Sequence, residues 1–255
     1  MKEKIAGVNS IMEAIKGGRK IHKIYIQNGR AGKKIEDLIN LAQKRGIYIQ
    51  TVEKQRLDQM YTITNHQGVV AQVENYEYSE IEEVLEKAAL KGEKPFIIIL
   101  DSIEDPQNLG SIIRTAECAG VHGIVIPRHN SAEVTSAVSK ASSGAVEHIH
   151  IVREKNLVNI IKYLKEQGMW IIGADMSASD NFFQTDIPTP ATIVIGSEGK
   201  GIRRLIKENC DMLVKIPMKG KINSLNASIA AALLVFEVVR QDEKNEEINE
   251  SSTNS

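Results

Sequence analysis

Between Thr192 and Arg240 the chain makes the same local move twice, and this stretch constrains the fold more than any other. In TIVIGSEGKGI, over 192–202, strand-forming residues run directly into a loop holding Gly196, Gly199 and Gly201. That pattern predicts a buried strand emptying into a loop made largely of backbone. Further on, LVKIPMKGKINSLNASIAAALLVFEVV repeats it: a short apolar strand over Leu213–Ile216, then Pro217, a glycine-containing polar loop and a strongly apolar helix. Ser224, Asn226 and Ser228 are all good N-cap types. Ile229, Leu233 and Phe236 follow at helical spacing, with Ala230, Ala231 and Ala232 allowing close packing. Loops at the carboxyl ends of strands are where an open α/β sheet places its ligand, and a helix start offers main-chain N–H groups to an anion or a polar edge.

The rest of the chain supplies a setting for such a sheet. With 255 residues, 42% of them hydrophobic and 25% charged, the sequence has the composition of a globular protein with one large domain or two ordinary ones. It contains no run of about 18 apolar residues, and MKEKIAGVNS lacks the apolar core of a signal peptide, so a cytoplasmic protein is expected. Cys118 and Cys210 form no metal spacing and are expected to be reduced and structural. Residues 1–56 hold 13 Lys or Arg against 5 Asp or Glu, whereas residues 57–95 hold 3 against 8. A basic first segment followed by an acidic one suggests that the first meets a polyanion.

Taken in order, GVNSIMEAIKGG reads as a helix from Asn9 or Ser10 stopped by Gly17 and Gly18, and KIHKIYIQ as a strand with Ile21 and Tyr25 opposed to His22, Lys23 and Gln27. A helix over Lys34–Arg45, a strand at IYIQTV, a helical turn over Leu57–Tyr61 and a strand at GVVAQV complete a small α/β domain over 1–74, with Arg19, Lys20, Lys23 and Arg30 among its surface cations. Residues 75–94 read as a linker with local helix. From 95 the order is a buried strand Phe96–Leu100, a polar loop, a helix Leu109–Ala119 with Asn108 as its N-cap, and a strand Ile124–Ile126. This β-loop-α-β unit predicts a parallel sheet. Further elements are expected near Glu133–Lys140, His148–Val152, Lys155–Gln167 and Trp170–Ala174, before the two stretches described first. The tail 242–255 is acidic, has almost no apolar residue and is expected to be disordered.

The chemistry of these loops is not that of the common nucleotide folds. GSEGKG matches neither GxGxxG nor GxxxxGK[ST], and no Gly-x-Ser-x-Gly elbow is present. His148 and His150 would share a strand face but have no third ligand, so no metal site is expected. Arg114 lies in a helix whose other middle positions are apolar or small, and an arginine near a crevice of strand ends commonly meets an anion.

Three segments, DPQNLGSIIRTAECAG, IVIGSEGKGI and IPMKGKINSLNASIAAALLVFE, closely resemble in order and spacing the three motifs of the SpoU (TrmH-like) branch of the SPOUT RNA methyltransferases. GVNSIMEAI and KIHKIYI resemble the L30e-like substrate-binding domain of that branch, so the likeness covers nearly everything from 5 to 240. The whole pattern is most similar to the 23S rRNA guanosine 2'-O-methyltransferases of the RlmB group. The fold this implies is α/β: a SPOUT domain over 95–241, with a parallel sheet flanked by helices and a carboxyl-terminal trefoil knot, preceded by the small L30e-like domain over 1–74.

The resemblance also implies S-adenosylmethionine as cofactor, a ribose 2'-hydroxyl of RNA as acceptor, and a homodimer. Motif matching puts main-chain groups around Gly196, Ile216 and Leu225 on the cofactor, and Asn108, Arg114, Glu198, Ser224 and Asn226 at active-site positions. The implied roles are limited by chemistry. A guanidinium stays protonated in proteins, so Arg114 is expected to bind the adjacent phosphate and stabilise developing alkoxide charge rather than act as a base. Asn108 is expected to hold a loop or dimer contact, and Glu198, Ser224 and Asn226 to position groups by hydrogen bonds. Residues 1–74 are expected to read RNA beyond the reactive ribose. The motifs leave open a tRNA guanosine or an rRNA adenosine 2'-O-methyltransferase, and, in another class, a non-catalytic RNA-binding protein on the same scaffold.

Overall fold

The computed structural model describes residues 3–62 and 65–253, without the side chains of 246–253. The chain forms two compact units, one made of Met1–Glu77 with Leu109–Arg114 and Glu133–His148, the other of Tyr78–Asn108, Thr115–Ala132 and Ile149–Ser255.

The first unit holds β1 (Glu3–Ala6), α1 (Val8–Lys16), β2 (Ile21–Gln27), α2 (Lys33–Lys44), β3 (Ile49–Val52), α3 (Lys54–Met60) and β4 (Val69–Val73). Its sheet runs β1-β4-β2-β3, antiparallel except for the parallel β2–β3 pair. Ile24 and Ile26 point into the main core with Ile5, Ile11, Leu38 and Val69, and the partly buried Ile21 packs against it as expected, but Tyr25 does not. A register shift between Ile21 and Lys23 on the β4 side breaks the alternation that the sequence suggested there. Tyr25 instead packs on the opposite face against Leu57, Tyr61 and Val70, so this sheet is covered on both sides. β1 escaped the sequence reading because four residues at a chain start carry too short an alternation.

In the second unit come α4 (Ile81–Lys91), β5 (Phe96–Asp101), α5 (Pro106–Cys118, whose residues 109–114 cluster with the first unit), β6 (Gly123–Pro127) and, after α6 (Ser136–Ala141) of the first unit, β7 (His150–Glu154). α7 (Leu157–Glu166), β8 (Trp170–Ala174), β9 (Asp180–Asn181), β10 (Ala191–Gly196), α8 (Arg204–Lys207), β11 (Met212–Lys215) and α9 (Ala227–Thr253) complete it. Its seven strands lie in the order β7-β6-β5-β10-β8-β11-β9, every pair parallel. β5, β6 and β10 are buried almost throughout, as a parallel sheet with covered faces requires. Because all strands point one way, the loops after β5, β8, β10 and β11 open on one edge.

Several expectations need correction. The helix of the supposed linker, α4, places Ile81 and Val84 in the core of the second unit, so it is part of that unit. α5 begins earlier than expected: Asp105 is its N-cap, accepting from the Gln107 N–H at 3.0 Å, with Pro106 at the first helical position. Asn108 is therefore within the first turn, its side chain not spent on capping. The tail expected to be disordered continues α9 as helix through Thr253, since Glu, Lys and Gln extend an already nucleated helix at little cost. His148 lies outside β7 and pairs with Glu13 at 2.7 Å, so the two-histidine strand face does not form.

Candidate functional site

The loop after β10 closes on itself: Ser197 accepts from the Gly201 N–H at 2.8 Å. Gly196 packs so closely on the far side of this loop that an added Cβ would sit 2.0 Å from the Gly201 carbonyl carbon. Only glycine lets the strand end and the loop approach in this way. The turn holds Glu198 out towards two other elements. Its Oε1 accepts from Asn108 Nδ2 of α5 at 3.0 Å, from Asn226 Nδ2 at 2.7 Å and from the Ala227 N–H at 3.2 Å. Asn226 Nδ2 also donates to Asn108 Oδ1 at 2.8 Å, while Asn226 Oδ1 accepts from the Ser228 N–H at 2.9 Å and caps α9. Glu198 thus satisfies one free amide at the helix start, and three segments far apart in sequence meet at one carboxylate.

Cavities lie on either side of this cluster. One, of about 580 Å³, is lined by the loops after β8, β10 and β11 and the start of α9. Gly196, Ile216 and Leu225 all line it, with Glu198 and Ser224, and Val214 and Met218 give it apolar walls. Asp175, just beyond β8, lines it too; its Oδ1 accepts from Lys207 Nζ at 2.8 Å and from the Ser177 N–H at 2.9 Å. Burial pushes the Asp175 carboxyl up, but the hydrogen bonds from Lys207 and Ser177 outweigh it and hold its pKa below the usual carboxylate value. The second cavity, of about 560 Å³, is lined by Ser102, Glu104, Asn108, Asn130, Glu198 and Arg203, among others.

Four of the five expected active-site residues therefore border these cavities or tie their shared wall together. Asn108, Glu198 and Ser224 line them, and Asn226 is bonded to the first two. Arg114 does not line either; it is exposed, belongs to the first unit and donates through Nη1 to Ser143 Oγ at 3.3 Å.

The expected RNA contacts of the first unit divide. Arg19 stands apart from the others: its side chain is 8% exposed, pairs with Glu3 and, at 3.0 Å, with Glu147, and donates through Nε to the Glu74 carbonyl. Its planar guanidinium serves the buried Glu147, the partly buried Glu3 and a backbone carbonyl at once, which a lysine could not do in this geometry. Lys20 is on the surface, with its side chain 73% exposed. Lys23 Nζ sits over the rings of Tyr25 and Tyr48 at 5.0 and 4.8 Å, and exposed Arg30 borders a polar cavity with Lys54 and His66.

Against known families, the model described as the SpoU rRNA Methylase family matches residues 95–236. The chain belongs to the SpoU rRNA methylase family. A second model, RNA 2'-O ribose methyltransferase substrate binding, matches residues 4–79 of this SpoU methylase. YacO of Bacillus subtilis, assigned to the TrmH family of tRNA/rRNA methyltransferases, is 48% identical over 93% of this chain and 95% of its own. The AdoMet-bound rRNA methyltransferase of Sinorhizobium meliloti superposes with a TM-score of 0.75 at 25% identity, over 94% of this chain and 87% of that one. The SpoU methyltransferase AviRb of Streptomyces viridochromogenes shares the fold, with a TM-score of 0.80 at 23% identity over 96% of this chain and 91% of that one.

Sequence reasoning misses three features in or beside the candidate site: Asp175 with its Lys207 partner, the Ala227 amide, and the pairing of Asp101 with Arg203. A signal for the acids was present. Asp101 and Asp175 each directly follow an apolar run, at the carboxyl edge where a parallel sheet gathers its polar groups. Among the described residues no helix is long and apolar enough to cross a membrane, and no group of three His, Cys, Asp or Glu could hold a metal.

Proposed function

We propose that this RNA methyltransferase moves a methyl group from S-adenosylmethionine to the 2'-oxygen of a guanosine ribose in 23S rRNA. The observation that carries this reading is the sharing of Glu198 by two cavities, with Asn108 and Asn226 bonded to it. The larger cavity fits the cofactor's chemistry. Its volume lies within the range of roughly 300–1,000 Å³ typical of small-molecule sites, and it combines apolar walls with main chain at Gly196 and Leu225. Gly196, Ile216 and Leu225 would hold the cofactor, with Asp175 as a fixed acceptor at the rim. When bound, S-adenosylmethionine would supply a methyl group on a positively charged sulfur, which an oxygen nucleophile can take up as the sulfur leaves as a neutral thioether.

The chain's own residues would then orient the acceptor. Asn108 and Glu198 face the second cavity and fix one of its walls. Ser224 has no hydrogen-bond partner among the described residues, so its hydroxyl is available to a ribose or a cofactor carboxylate. Asn226 holds the α9 cap and the Glu198 loop in register, so that the wall does not shift as substrate binds. Arg114 binds the phosphate beside the acceptor and stabilises the developing alkoxide. Lys20, Lys23 and Arg30 contact RNA further from the reacting ribose.

Two finer features belong to the same proposal. The chain forms a trefoil knot, supported by the return from β11 to lay α9 against β10. It works in the cytoplasm and as a homodimer, the dimer being supported by the exposed apolar row Ile229, Leu233 and Phe236 on one face of α9.

The test is calorimetric binding of S-adenosylmethionine followed by methylation of transcribed 23S rRNA and of tRNA, with the modified nucleotide mapped. Methylation of a 23S guanosine 2'-oxygen is the expected result. Transfer to tRNA alone, or to an adenosine, would overturn the substrate reading, and absence of cofactor binding would overturn the catalytic one.

A further inference from the structure

The second cavity has a neighbour whose charged residues are all cationic, and one arginine borders both. Arg203 lines both the cavity that holds Glu104 and Glu198 and a smaller one of about 380 Å³. The smaller cavity is bordered by Lys155, Arg203, Arg204 and Leu205, and none of its lining residues is acidic. The second cavity, by contrast, mixes Glu104 and Glu198 with Lys200 and Arg203.

Arg203 is braced for this position. Asp101, at the end of β5, is 0% exposed and takes the Arg203 N–H at 2.8 Å and its Nε at 2.7 Å. The arginine side chain is nevertheless 55% exposed, and among the described residues its two terminal nitrogens have no partner. A buried carboxylate thus fixes one edge of the guanidinium and leaves the other edge free, which suits planar donation to a phosphate. Lys155 has no ion-pair partner among the described residues, and Arg204 has only a 3.6 Å approach to Glu208 within its own turn. The start of α7 contributes no free donors at Val158 or Asn159, because Asn156 Oδ1 already accepts from both. Side-chain charge is what the cavity offers.

We infer that Lys155, Arg203 and Arg204 hold the phosphodiester backbone of the RNA strand that enters the Glu198 cavity, with Arg203 gripping the phosphate nearest that cavity. This rests on the methyltransferase reading and adds to it a binding track on the second unit, independent of the basic first unit. The cavity of mixed charge takes hydroxyls and base edges, and the cationic one takes phosphate.

The experiment compares the full-length protein with the double variant Lys155→Gln/Arg204→Gln, whose side chains do not touch Asp101, and with Arg203→Lys. RNA binding to transcribed 23S rRNA is measured across a salt series, together with S-adenosylmethionine binding and thermal unfolding. In the double variant the slope of log affinity against log salt should fall by about 0.7 for each phosphate no longer neutralised, with S-adenosylmethionine binding and unfolding temperature unchanged. Arg203→Lys keeps the charge but cannot both hold Asp101 and present a fork, so KM for RNA should rise several-fold more than kcat falls. An unchanged salt slope in the double variant would overturn the track, as would inorganic phosphate binding at these residues with RNA affinity unaltered. A wild-type protein that shows the slope difference but transfers no methyl group would overturn the methyltransferase reading and leave the track standing.

Discussion

A single amide nitrogen of Asn226 donates to two acceptors on different elements, Asn108 Oδ1 at 2.8 Å and Glu198 Oε1 at 2.7 Å, while its carbonyl oxygen caps α9. The cap and the tie can be separated by mutation. Asn226→Ala should lower stability by about 1 kcal/mol through the lost cap and reduce methyl transfer by roughly 100-fold or more. Asn226→Ser restores a good cap without the amide donor, so it should regain stability and remain slow. Full activity in the serine variant, measured beside its unfolding temperature, would show that the tie is dispensable.

Gly196→Ala probes the closeness of strand and loop. The new methyl would meet the backbone of Gly201 and Ile202 at 2.0 to 2.3 Å, and neither can rotate away as a side chain could. The loop must open, which costs about 1–3 kcal/mol or more and displaces Glu198. Calorimetry should show S-adenosylmethionine binding weakened by about tenfold or more, as a shift of about 1.4 kcal/mol in binding would give.

Arg19 and Lys20 are adjacent in sequence and should behave in opposite ways. Removing the Arg19 guanidinium leaves the buried carboxylate of Glu147 uncompensated, so Arg19→Ala should destabilise by about 3–5 kcal/mol. Lys20→Ala should leave the unfolding temperature within about a degree or two, since exposed ion pairs contribute little, while weakening RNA binding in a salt-dependent way. Filter binding and thermal denaturation of the two variants together make the check.

Stability should fall on the acid side of neutrality. Burial holds His122 below the ordinary histidine value, with Lys87 and Lys91 adding to it against the hydrogen bond to Glu93; burial likewise lowers His150. The unfolded chain takes up these protons near the usual pKa of about 6.5, and the folded chain only at lower pH. The stability they contribute is complete above about 6.5 and is lost as pH falls through the folded values. Asp175, also lowered, has the same sign at still lower pH. Unfolding temperature should therefore be flat above neutrality and decline below it. His122→Gln/His150→Gln should flatten the decline nearest pH ~6; an unaltered profile would remove these histidines as its cause.

The exposed row on α9 predicts the oligomer. Phe236→Glu adds a charge to the row of Ile229, Leu233 and Phe236, and light scattering should record a shift from dimer to monomer at micromolar concentration. A wild-type monomer would remove that part of the proposal.

Much of this architecture was legible in the chain because it follows short-range rules. The strand-to-loop transitions at Gly196 and after Lys215, and the helix opened by Asn226, each stand in a few contiguous residues. What could not be read depends on partners distant in sequence. Asn108 resembled a cap until Asp105, three residues earlier, took that role and freed its amide for Glu198. Arg19 resembled a surface cation because nothing local indicates Glu147, which reaches it from 128 residues away. β2 misled because its bulge shifts which residues face inward. α4 and the end of α9 were underestimated for the same reason: composition describes how a segment behaves alone, and both are parts of longer structures.

α9 is anchored at two points, at its start and about midway along. Near its start stands the Asn226 cap, and further along Gln241 accepts from the Ile187 N–H at 2.8 Å and donates to the Thr185 carbonyl, while Asp242 takes Thr189 Oγ1 at 3.0 Å and Lys94 at 3.1 Å. The helix between them is a ruler of fixed length. Substitutions along its outer face change its surface and leave the measurement intact. One inserted or deleted residue would turn everything beyond it by about 100° and slide it by about 1.5 Å, so that the two moorings could no longer be satisfied at once.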